Sequence, residues 1–240
     1  MNKFMVLAKG EIKRLFRYKI IVFSLIVSVI WALIIALTDL DFAVSFVPFL
    51  VLLDAGMMAI LYLGASYYLE KQEGSMKSVF VSPVRLSSVL AAKIVAALFM
   101  ALLSLLIVLA TAYAFHSDFH AKVLLMILYT VLVVVSHTAI GYLIILTSKD
   151  FMQMLLKYMW VFLAFMVPML LVVINVIPED YDFLALISPS YGAQILYQSA
   201  VGIATKNIQV IFSAIYLFLL GFLLYPLVVL PKFAKSALEG

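Results

Sequence analysis

Six stretches of the chain are each long and apolar enough to cross a lipid bilayer: about residues 20–37, 46–69, 88–115, 122–147, 153–177 and 207–230. A helix needs about 20 apolar residues to traverse the hydrocarbon layer. Inside that layer every backbone N–H and C=O must be satisfied within the segment, so helices are the expected element. No ordinary soluble domain accommodates six such runs in 240 residues that are 67% hydrophobic and 12% charged. The expected fold is an all-α membrane protein with six transmembrane helices, a single transmembrane domain over residues 1–240. The chain has no cysteine, which removes disulfides, thiol nucleophiles and thiolate metal sites from consideration.

The net charge of +4 would suit a nucleic-acid partner, but the placement of the charges argues against one and for the bilayer. Of the 16 basic residues, all but Lys122 and Lys206 fall on one set of alternating connections and span ends. The other set carries Asp39, Asp41, Asp118, Glu179, Asp180 and Asp182. The positive-inside rule then places both termini in the cytoplasm and the chain in the cell membrane as a multi-pass protein.

Residues 1–19 form a basic amphipathic segment. Phe4, Met5, Leu7, Ala8, Ile12, Leu15, Phe16 and Tyr18 share one half of a helical wheel, and Lys9, Lys13, Arg14 and Arg17 fill the other. Val6, Glu11 and Lys19 break the pattern. Such a helix is expected to lie in the headgroup plane as an uncleaved anchor. The second span contains the one acid well inside the membrane, Asp54. Helical spacing puts Val51, Asp54, Met58 and Tyr62 on one side, with Gly56, Ala59 and Ser66 largely on the other. Asp54, Met58 and Tyr62 are therefore candidates to line a substrate pathway or dimer interface, and the alternative is an Asp54 that only joins helices. His137, in the fourth span, is expected to bond a neighbouring helix, and Pro168 to kink the fifth. Residues 178–206 are too apolar for a plain outer loop. Phe183–Ile187 and Ile195–Val201, punctuated by Pro189, Gly192 and Gly202, predict two short helices forming a re-entrant outer hairpin.

The longest polar island between two spans reads EKQEGSMKSVFVSPVRLSSVLAAK, from Glu70 to Lys93. Its Met76, Val79, Phe80 and Val81 predict a brief helix that docks into something. Ser82-Pro83 ends it, and Ser87 or Ser88 is a candidate N-cap for the third span. Glu70, Glu73-Gly74-Ser75, Val79-Phe80, Ser82-Pro83-Val84 and Lys93 resemble the first cytoplasmic loop of type-2 ABC exporter permeases. Ser75 stands where Thr is commoner, and Arg85-Leu86 where small polar residues usually follow the proline. The resemblance implies a cytoplasmic coupling loop over 70–87, with Glu70, Glu73, Gly74, Val79, Phe80 and Pro83 meeting the ATPase. In that scheme Glu70 and Glu73 pair with basic groups and Phe80 fills an apolar groove. It also implies a homodimer or heterodimer of permeases with two copies of a separate ABC ATPase. ATP and Mg would then sit on that partner, leaving no cofactor on this chain. Family members also carry a re-entrant hairpin between the last two spans.

The sequence lacks a phosphate-cradling Gly-rich loop followed by Lys-Ser/Thr, a His-Glu-x-x-His helix and a Gly-x-Ser-x-Gly elbow. His116 and His120, which flank Asp118, have the i, i+4 spacing of metal ligands but no third strong ligand nearby, so no metal site is expected. An ATP-driven exporter subunit that is not itself an enzyme fits best. The rival readings are a non-transporting sequestration or immunity protein and a membrane-embedded lipid enzyme. The resemblance implies a substrate among drugs, peptides, lipids and polysaccharides, the classes that proteins of this plan carry.

Overall fold

The computed structural model describes residues 3–75 and 84–239, without the side chains of residues 179–180 and 236–239. It is helical, with no strand among the described residues. The six spans are Ile20–Leu37, Leu40–Gln72, Leu86–Phe115, Val123–Leu146, Phe151–Val173 and Asn207–Lys235, and an N-terminal helix, Lys3–Arg17, precedes them.

The ends of the spans follow local chemistry. The second starts six residues earlier than hydropathy suggests, because the Asp39 carboxylate accepts from Phe42 N at 2.8 Å and caps the helix. Asp150 does the same for the fifth, accepting from Gln153 N at 2.8 Å. The third span begins at Leu86 with Arg85 at the cap position and no side-chain cap, so Ser87 and Ser88 lie inside the helix instead of capping it. The sixth does not stop near residue 230. Pro226 has no N–H to give the ladder, which widens to a π-turn at Tyr225–Val229 and then continues as Leu230–Glu239.

Residues 179–200 hold two successive helical segments, with bounds other than Phe183–Ile187 and Ile195–Val201. Glu179–Ile187 is a 3-10 segment, and Pro189–Ala200 is a helix capped by Ser188. Pro189 at the first turn suits a helix start, since its missing N–H would be unsatisfied there anyway.

The second span is the axis of the bundle. In its most apolar stretch 61% of residues are buried, against 17% for the fifth. One apolar cluster fills the half of the bundle away from the termini, where Leu50, Val133, Leu196, Tyr197 and Leu217 meet. A second, built on Ile60, Tyr142, Met154 and Phe233, fills the half near them. A third seats the N-terminal helix, with Leu15 against Tyr62, Ala96 and Met100. Contact between the fourth and sixth spans depends on Gly221, where an added Cβ would lie 3.2 Å from Ser136 N.

Candidate functional site

Four charges from three helices meet at the end of the bundle near the termini. Lys93 Nζ, from the third span, lies 3.1 Å from Glu11 Oε2 of the N-terminal helix and is ion-paired with Glu70 Oε1 of the second span. Arg14 NH1 approaches Glu11 Oε1 at 2.6 Å and Glu70 Oε1 at 3.5 Å. The Ser66 hydroxyl donates to Glu70 Oε1 at 3.0 Å. Three of the four side chains are almost out of solvent, Glu11 at 4% exposure and Glu70 and Lys93 at 2% each, while Arg14 keeps 29%. Two carboxylates and two cations make the group neutral overall, the condition under which such burial is tolerable. Burial pushes the Glu11 carboxyl above its usual range; nearby Lys93 opposes this and Glu70 adds to it.

One helical turn further on, Glu73 is held from the other side. Tyr18 Oη donates to its Oε2 at 2.7 Å and Arg17 NH2 lies 3.5 Å from its Oε1. Burial, followed by the bond to Glu73, raises the Tyr18 phenol to about 12. Gly74 ends the helix with φ at +69°, a conformation that costs glycine nothing. Ser75 Oγ then donates to the Glu70 carbonyl at 3.2 Å. Both motif acids thus pair with basic groups, and those groups belong to this chain. Val79, Phe80 and Pro83 lie outside the described residues. Glu11 completes the cluster and was unrecognised in the sequence. Its signal was its position as an acid on the apolar half of the N-terminal wheel.

Asp54 sits in a π-turn, Leu53–Met58, inside the second span. At 4% exposure it faces the third span, whose Ser104 hydroxyl donates to Oδ2. The Trp31 indole of the first span lies beside it but outside hydrogen-bond geometry. Asp54 Oδ1, Trp31 Nε1 and Tyr62 Oη are buried without a partner among the described residues. Val51 and Tyr62 are buried as well, and Met58 is partly covered. The Asp54 side of the helix thus packs within one subunit, and Met58 and Tyr62 share that packing.

The opposite side meets the fourth span and the short helix. A Cβ on Gly56 would come within 3.1 Å of His137 Cδ2, so glycine lets the imidazole approach the helix this closely. His137 Nδ1 bonds the Val133 carbonyl at 3.0 Å, and Nε2 bonds Ser190 Oγ at 3.2 Å. Tyr197 Oη donates to Thr130 Oγ1 at 3.2 Å, and Lys122 N donates to the Ala200 carbonyl at 2.8 Å. The short helix therefore runs alongside the fourth span from its start to the level of His137. Elsewhere, His116 Nε2 bonds the Ile35 carbonyl and His120 Nδ1 the Asp118 carbonyl.

A family model described as ABC-2 family transporter protein matches residues 38–230. The chain belongs to the ABC-2 transporter family. A search of curated proteins returns no match. As an ABC-2 protein it is a permease-type, multi-pass membrane component, and membership implies association with an ABC ATPase. The family match includes the Glu70–Lys93 segment and the short helix but begins after the N-terminal helix that supplies Glu11 and Arg14.

Proposed function

We propose that this ABC-2 protein is the transmembrane subunit of an ATP-driven exporter, working as a dimer with two ATPase subunits bound at the end that carries both termini. The observation that carries this reading is the neutral cluster of Glu11, Arg14, Glu70 and Lys93. It ties the N-terminal helix and the second and third spans together beside the segment whose sequence resembles a coupling loop. A push on residues 76–83 would reach all three helices together, because separating them would strand buried charges.

Within this reading Glu70 and Glu73 position the loop, and Phe80 is the contact offered to the ATPase. The N-terminal helix, with Met5 and Phe16 exposed, rests on the inner membrane surface. The exposed apolar faces of the first and fifth spans meet lipid or the second permease subunit. The short helix, level with His137 at one end and Lys122 at the other, returns into the outer leaflet with its ends bonded to protein.

Affinity capture of the full chain from native membranes tests the proposal. A Walker-motif ATPase should co-purify with it and be lost on Phe80→Ala, while the variant inserts normally. Single cysteines at 41 and 118 should react with an impermeant thiol reagent in intact cells, and one at 75 should not. Reversed labelling, or capture without an ATPase, would refute it.

A further inference from the structure

The N-terminal helix seats only one of its sides on the bundle. Leu15 packs against Tyr62, Ala96 and Met100, residues inside the second and third spans, so the helix lies on the flank of the bundle and not beneath it. Its other side then looks away from the protein. The span that follows exposes Val22 and Phe23 in its first turn, so lipid begins directly beyond Arg17.

That outward side is basic. Lys9, Lys13 and Arg17 stand at i, i+4 and i+8, one row along the helix, and all three are exposed. Among the described residues Lys9 and Lys13 form no ion pair, and Arg17 stays largely exposed with NH2 3.5 Å from Glu73 Oε1. Glu11 is the only acid of the helix, and it is spent on the other side, in the buried cluster. Met5 and Phe16, both exposed, border the row. A row of cations edged by large apolar side chains suits a boundary where phosphates lie above acyl chains, and an aqueous protein surface would leave the apolar edge uncovered.

We infer that Lys9, Lys13 and Arg17 bind the phosphates of anionic phospholipids in preference to zwitterionic ones. A choline headgroup brings its own cation and so gains little from the row. The inference rests on the proposed placement of this helix at the membrane surface and on no other part of that reading. A lipid held here steadies the outer side of the helix whose inner side supplies Glu11 and Arg14.

The test uses the full chain in nanodiscs of phosphatidylcholine and phosphatidylglycerol, without an ATPase. Both faces of a nanodisc carry the same lipids, so neither export nor orientation enters the result. The chain has no cysteine, and Val6→Cys, at an exposed position beside the row, carries a single bimane label. Bromine near the ester end of one lipid's chains or the other's quenches the label, and the ratio at equal mole fraction gives the local preference. Phosphatidylglycerol should be preferred about fivefold, roughly what one basic residue is worth at an anionic surface. Lys9→Gln combined with Lys13→Gln should bring the ratio close to one. Salt at about 0.5 M should lower it in the parent, a readout that does not depend on the variant's folding. The same label at Leu37, exposed beside Asp39 at the far end of the first span, should show no preference for phosphatidylglycerol. A ratio near one in the parent would overturn the inference and leave the row to an acidic protein surface. Insensitivity to salt, an unchanged ratio in the double variant, or an equal preference at Leu37 would overturn it too.

Discussion

Replacing Lys93 with methionine keeps the length and apolar stem of the side chain and removes its charge. The Glu11, Arg14, Glu70 and Lys93 group is neutral, so the variant leaves one net negative charge shared by two carboxylates with 4% and 2% exposure. Stranding a buried charge in this way costs about 3–5 kcal/mol, far more than an exposed pair is worth. Arg14 cannot recover the whole amount, because it already serves Glu11 and stands 3.5 Å from Glu70. For a chain of this size the loss corresponds to a fall in Tm on the order of 10 °C. The assay is thermal unfolding of the purified protein, followed by light scattering and intrinsic fluorescence. Adding Glu70→Gln should restore most of the loss, since the group becomes neutral again and glutamine keeps an acceptor for Ser66. The penalty should also shrink on acidification, because Glu11, already raised by burial, can take up a proton. A Lys93→Met variant within 2 °C of the parent would refute the reasoning, as would a double variant no better than the single one.

Glu11→Gln isolates the pH term. A carboxyl whose folded value lies above 4.5 favours the folded state below 4.5 and loses that contribution as pH rises through the raised value. The Tm of the parent minus that of Glu11→Gln should therefore increase as pH falls through this window, and a decrease would contradict the assignment. Asp54→Asn should keep the bond to Ser104 and leave thermal stability and monodispersity unchanged, whereas Asp54→Leu should lower both; equal behaviour of the two would remove the interhelical role. Gly56→Leu should cost several kcal/mol through the clash with His137, read as loss of the monodisperse peak in detergent, while Gly10→Ala, with open space around it, should be silent.

The parts of the fold set by hydropathy were legible, and those set by a single polar contact were not. The first span runs from Ile20 to Leu37, as its apolar run implies, because bilayer thickness fixes its length. The start of the second was missed because Asp39 and Asp41 read as a loop when Asp39 is a cap. Helical structure before the last span was visible as apolar segments broken by Pro189 and Gly192. The distribution between a 3-10 segment and one helix was not, since Phe183–Ile187 is too short for periodicity to separate the two. The continuation of the last helix past Pro231 was hidden for a related reason. Proline ends a helix only where its N–H is needed, and the π-turn just before it had already changed the ladder.

The acids of the loop show most clearly what a sequence motif leaves out. Glu70 and Glu73 stand three residues apart on one helix, and a resemblance alone assigns both to an external partner. Their surroundings separate them: Glu70 is buried and bonded to Lys93, while Glu73 remains 37% exposed and bonded to Tyr18 and Arg17. No spacing rule predicts this, because the partners come from residues 11–18 and 93, brought together only when the N-terminal helix docks. Removing Glu70 would leave the buried cluster with one unmatched positive charge, with Lys93 and Arg14 sharing Glu11 alone, whereas removing Glu73 would release only partly exposed contacts. The two alanine variants should therefore fail differently. Glu70→Ala should lower Tm and yield, and Glu73→Ala should fold like the parent, so that any loss of ATPase association in it reports on docking. Equal thermal stability of the two variants would mean that the buried pair does not hold these helices together.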